Sequence, residues 1–235
     1  MQERQSPDHD DLSSPSRGEA LDGKDRVGGV LGLGFDYMTG PDFDALAAEG
    51  KRLPTASAVD AVLRACERLA EAQLTGSVER EAEPASMFLA HYMSPEQMKS
   101  ARDIDGRSDI WSLGAIAYEL IAGRPPFRAN TIAEMCSCIV ADPVPSLSMA
   151  RADVHPSLEG VILRCLEKDP SRRFANVAEL ACALAPFGTE GAHQSAAQIS
   201  RIVEGGIEGR RRLPVGYGRY GSSSATELRP FALAT

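Results

Sequence analysis

Nowhere does this 235-residue chain hold the ~18 uncharged apolar residues in a row that a bilayer span needs. Its most apolar stretch, Ile110 to Ala122, is interrupted by Glu119. A basic excess is missing too. Twenty-five Lys and Arg against 33 Asp and Glu leave a net charge of −8, which speaks against nucleic acid or an anionic membrane as partner, since both call for a basic face. No disulfide framework is apparent: five cysteines (Cys66, Cys136, Cys138, Cys165, Cys182) are odd in number. They sit in apolar helical patterns and are expected to be reduced core thiols. Nor is there a metal-ligand cluster. Cys136 and Cys138 cannot both face one side of a helix, and His9, His91, His155 and His193 are scattered. The opening MQERQSPDHDDLSSPSRGE is acidic and polar, where an export signal needs a basic and then an apolar stretch. The expectation is a soluble cytoplasmic protein.

The hydrophobic residues that are present, 43% of the chain, fall mostly in helical spacing. Residues 1–26 are polar and expected to be disordered. Residues 27–38 (VGGVLGLGFDYM) suggest one or two short strands, and Pro41 to Glu49 a short helix. Over 56–74, Val59, Val62, Leu63, Cys66, Leu69, Ala70 and Leu74 recur on one face, with Thr55 or Ser57 as a cap. From Asp109 to Ile121 the pattern is apolar nearly all round, which marks a helix buried at a domain centre. Gly123 ends it and Pro125-Pro126 prevents continuation. Further helices are expected over 131–141, over Leu158 to Glu167, and after Asn176, with Glu179 in the capping-box position and Pro186 at the close. Beyond Gly188 the chain is polar and glycine-rich (GYGRYGSSS), and 189–235 is expected to be a disordered tail. Arg210-Arg211-Arg212 is taken as part of that solvated tail.

Residues 92–127, YMSPEQMKSARDIDGRSDIWSLGAIAYELIAGRPPF, closely resemble the start of the helical lobe of a bacterial serine/threonine protein kinase. Ser94-Pro95-Glu96 stands for Ala-Pro-Glu, the run Ser108 to Gly114, including Asp109, Trp111 and Gly114, for the core helix, and Gly123 to Phe127 for the loop after it. The likeness runs from about Phe35 to Gly188, so 27–188 is expected to be one kinase-like C-lobe. It is mainly α, with a vestigial strand region and no complete N-lobe. In relatives the Asp that begins the core helix, here Asp109, holds the catalytic-loop backbone. The resemblance also pairs the Glu of Ala-Pro-Glu, here Glu96, with a buried Arg before the last helix, here Arg173 in Asp169–Phe174 (DPSRRF).

The departures bear on chemistry. Gly76 to Ala90 (GSVEREAEPASMFLA) resembles the catalytic loop, with Glu79 in place of His, Arg80 kept, and Glu81 in place of the catalytic Asp. Glu83 replaces the phosphate-facing Lys and Ser86 the magnesium-binding Asn. Glu81 moves its carboxylate by over ~1 Å, a misplacement that can cost ~100-fold. Glu83 opposes a polyanionic nucleotide, and Ser86 offers one hydroxyl where magnesium wants a longer amide's oxygen. Only eight residues, Met87 to Ser94, separate Ser86 from Pro95, and none is Asp. They span at most ~29 Å, where relatives hold the Asp-Phe-Gly metal site and the activation segment. Upstream, the glycines at 28, 29, 32 and 34 do not spell G-x-G-x-x-G, and Lys24 lies in a polar run.

Three functions follow as expectations. The first is a catalytically inactive pseudokinase that binds another protein in bacterial signalling, with no cofactor. The second is a serine/threonine kinase transferring ATP phosphate to Ser or Thr, with ATP and magnesium. The third is a decayed gene product.

Overall fold

The computed structural model describes residues 52–75, 87–99 and 104–212, and every regular element among them is helical. The expected disorder of 1–26, the strands of 27–38 and the helix of 41–49 all lie outside those residues. So does the stretch 213–235.

Helix α1 (Thr55–Thr75) follows Pro54 directly, so Ser57 lies inside its first turn and is not its cap. Ala58, Val59, Val62, Leu63, Cys66, Leu69 and Ala70 form its buried stripe, while Arg64 and Arg68 are exposed. Two single-turn helices come next, α2 (Met87–Ala90) and α3 (Pro95–Met98). The sequence reading missed both. The signal for α3 was there: Ser94-Pro95-Glu96-Gln97 is a capping box with proline at the first helical position. Ser94 Oγ accepts from Gln97 N at 3.4 Å and Gln97 Oε1 accepts from Ser94 N at 2.8 Å.

Helix α4 (Arg107–Ala122) is buried along almost its whole length, as an all-round apolar helix must be. It packs on α1 and on α7 (Pro156–Cys165). Gly123 ends it with φ 73°, a left-handed conformation open to glycine at no steric cost, and its N–H donates to Glu119 O at 2.7 Å. Gly114 has a different task. A Cβ there would overlap the Cβ of Cys165, so α4 and α7 approach backbone to backbone at that point.

Helix α5 (Ile132–Ala141) is capped by Thr131, whose Oγ1 accepts from Glu134 N at 3.2 Å, and it stops before Asp142-Pro143. A single turn, α6 (Leu147–Ala150), leads to α7. That helix starts two residues before the expected Leu158, because His155 Nδ1 accepts from Ser157 N at 3.1 Å and Pro156 suits the first position. Asn176 caps α8 (Val177–Leu184) through Ala178 N and Glu179 N, both at 3.0 Å. Glu179 reaches back to Ala175 N instead of closing the box on Asn176 itself. Pro186 lies in the 3-10 turn that follows.

The expectation of a disordered tail from 189 onward needs correction. Residues 192–212 form helix α9 (Ala192–Arg212), which packs along α1 and α8. Ala192, Ala196 and Ile199 are buried at helical spacing; glycine and arginine beyond them obscured that short apolar stripe. The turn into α9 is bound to α1, where Asp60 accepts from Thr189 N at 3.0 Å and Thr189 Oγ1 at 2.7 Å. Gly188 fits there because a Cβ would come within 2.5 Å of Ala192 Cβ and 2.7 Å of Asp60 Oδ1.

All five cysteines are unpaired, but they are not uniformly core thiols: Cys66 and Cys165 are buried, whereas Cys182 is exposed. Burial pushes the Cys66 thiol up to about 12.

Candidate functional site

The best-defined polar centre joins α3, α4 and the segment before α8. Glu96, in the first turn of α3, meets Arg173 across 77 positions of sequence, with Nη1–Oε1 at 2.7 Å and Nη2–Oε2 at 2.9 Å. The geometry is the bidentate fork that makes arginine the preferred carboxylate partner. Arg173 has no exposed side-chain surface and Glu96 retains 11%. Burial alone would raise the Glu96 carboxyl, but hydrogen bonds from Arg173 and from Ser108 Oγ, at 2.6 Å, hold it down at about 2.

Arg173 also ties backbone together. Its Nε donates to Glu167 O and its Nη1 to Arg107 O, each at 2.8 Å. The guanidinium lies 5.1 Å from the centre of the Trp111 ring. Trp111 is fully buried, stacks parallel to Phe127 at 6.3 Å, and its indole N–H meets no acceptor among the described residues. Asp109 is buried in the first turn of α4. The positions it is expected to hold, Glu79, Arg80, Glu81, Glu83 and Ser86, lie outside the described residues. Arg172, beside Arg173, faces solvent and reaches Glu167 at 3.4 Å.

A second set of bonds was not anticipated. It pins the short connection before α3 onto α4. Ser112 Oγ donates to Tyr92 O at 2.8 Å, and Tyr92 OH donates to Glu119 Oε2 at 2.6 Å. Burial raises the Glu119 carboxyl above its usual range, an effect the Tyr92 hydroxyl partly offsets. The sequence clue was Glu119 itself, a lone charge in a helix apolar on every face. Together these bonds fix where the chain leaves α2, turns through His91 and Tyr92, and enters α3. No cluster of His, Cys, Asp or Glu able to hold a metal occurs among the described residues.

The protein kinase domain family matches residues 74–184, which run from the end of α1 through α8. The serine/threonine-protein kinase PknB of Mycolicibacterium smegmatis is 41% identical over 92 residues, covering 39% of this chain and 14% of that protein. Pkn1 of Myxococcus xanthus, also a serine/threonine-protein kinase, is 30% identical over 217 residues, covering 77% of this chain and 30% of that protein. PknB of Mycobacterium leprae is 25% identical over 179 residues, covering 62% and 28% respectively. The chain thus spans less than a third of the length of these relatives. The helical lobe that holds the Glu96–Arg173 centre is similar to part of a protein kinase domain, and the relatives it resembles are bacterial serine/threonine protein kinases.

Proposed function

We propose that this chain is a non-catalytic member of its family, a pseudokinase whose helical lobe serves to bind another protein. The observation that carries this reading is the connection from Ser86 to Pro95. It is eight residues long, without an Asp, and is taken up by one turn of helix and a turn through Tyr92 before the Ser94 cap. In the family, that interval carries the magnesium-binding Asp-Phe-Gly and the activation segment. The residues before it point the same way. Glu83 sets a negative charge against nucleotide phosphates, Ser86 is a poor magnesium ligand, and Glu81 displaces the base. Phosphoryl transfer depends on electrostatic positioning, so three faults at one site combine with a missing metal ligand.

The test is thermal melting with and without millimolar Mg-ATP, together with labelled-phosphate transfer to a generic acceptor protein. Saturation at 100 times Kd would stabilise the fold by ~2.7 kcal/mol and raise Tm by several degrees; no shift and no transfer are expected. The triple variant Glu81→Asp, Glu83→Lys, Ser86→Asn is expected to stay inactive, because the short connection still supplies no metal-binding Asp. Transfer of phosphate by the unaltered chain would overturn the proposal.

A further inference from the structure

Between α7, α8 and α9 the surface opens into a cleft of about 470 Å³. That volume is within the range of ~300–1,000 Å³ typical of sites that hold a ligand, so there is room for more than one side chain. Phe174, only 4% exposed, forms one wall, and the exposed Arg164 guanidinium lies over its ring with Cζ 4.1 Å from the centre. Val203 adds apolar surface from α9, while Glu179 and Glu204 bring two carboxylates against the single cation, leaving the lining net negative. Glu179 already accepts from Ala175 N at 3.0 Å. Glu204 is exposed and pairs with no cation among the described residues.

We propose that the segment following α9, residues 213–235, folds back and docks in this cleft. Arg219 pairs with Glu204, and the Tyr217 ring stacks on the Arg164 guanidinium. Charge is the first argument. The segment carries Arg219 and Arg229 against Glu227 alone, a net positive charge that complements the net negative lining. Reach is the second. Val203 lies nine positions before the end of α9 at Arg212, which is ~14 Å along a helix. The seven residues from there to Arg219 span up to ~25 Å, enough to turn and return. Side-chain chemistry is the third. Residues two apart in an extended segment share a face, so Tyr217 and Arg219 enter the cleft together. An aromatic ring and a carboxylate-seeking cation are what a stacked arginine and an unpaired glutamate recognise.

The exposed Cys182 lines the cleft, so its labelling by N-ethylmaleimide reads whether the cleft is covered. Rates would be followed by site-resolved mass spectrometry on the folded full-length chain. Half-buried Cys136 serves as the reactivity control, and buried Cys66 and Cys165 report that the core stays folded. A segment tethered at ~1 mM effective concentration to a site of Kd ~0.1 mM covers that site about ten times as often as it leaves it bare. Cys182 is therefore expected to label about tenfold faster in Arg219→Glu than in the unaltered chain, with Cys136 unchanged and Cys66 unlabelled. Glu204→Arg is expected to do the same, and the combined charge-swapped chain to restore slow labelling. Dilution is expected to leave the unaltered chain's rate as it is, because the docking lies within one chain. Faster labelling on dilution would mean that a second copy supplies the segment, and would overturn the proposal. So would equal Cys182 rates in the unaltered and Arg219→Glu chains, or a charge-swapped chain that labels as fast as the single variants.

Discussion

Arg173 is the residue on which most of the described fold converges, because its five donors serve a carboxylate and the backbone of two separate segments. Removing either partner of a buried ion pair strands the other charge, typically at ~3–5 kcal/mol. Arg173→Ala and Glu96→Ala are each expected to lower stability by that much in urea titrations. The double variant is expected to cost well below their sum, and Arg172→Ala to stay within ~0.5 kcal/mol. Additive sub-kcal effects would mean the pair is energetically idle. The pH dependence has a definite sign. Glu96 titrates lower in the folded chain, at about 2, than an unfolded glutamate does. Its contribution is therefore complete above pH ~4.5 and lost as pH falls towards 2. At ~1.4 kcal/mol per unit it amounts to about 3 kcal/mol. Glu96→Gln is expected to flatten the acid limb of a stability profile over that window.

Among the elements, α9 and the α4–α7 contact carry the expectations most easily checked. Ile199 is fully buried between α9 and its neighbours, and Ile199→Ala is expected to cost about 2–5 kcal/mol. A chain ending at Gly188 is expected to lose at least as much, since it bares the face of α1 that α9 covers. Equal urea midpoints for full and shortened chains would show that α9 merely rests on the surface. For the α4–α7 contact, Gly114→Ala forces a methyl group against Cys165. The expected cost is about 1–3 kcal/mol, read as a fall in Tm. An unchanged Tm would mean that the helices part freely.

At the scale of the whole molecule, the sequence was most legible where one residue's physics decides the local structure. Gly123, Pro143 and Asn176 marked helix ends, and the all-round apolar run of α4 marked the centre of the core. The Glu96–Arg173 centre was reachable only through resemblance, because no local pattern links residues 77 positions apart. What stayed hidden is either short or mixed in composition. Helices α2 and α3 are single turns without a period to detect. Helix α9 buries a narrow stripe of small residues in a sequence otherwise polar, so its order comes from docking on α1 rather than from its own propensity.

The packing of α9 on α1 also bears on how the chain is made. Asp60, in the first helix described, and Thr189, in the turn that leads into the last, hold each other across 129 positions. Synthesis delivers α1 early, with its apolar stripe bare, and α9 only after everything between them has emerged. Until then the α1 face that α9 covers stays open, and contacts of such sequence separation are slow to form. The ribosome-bound intermediate is therefore a nearly complete helical lobe with one sticky flank, the kind of species that chaperones engage. That flank is expected to close only once α9 has emerged and met α1.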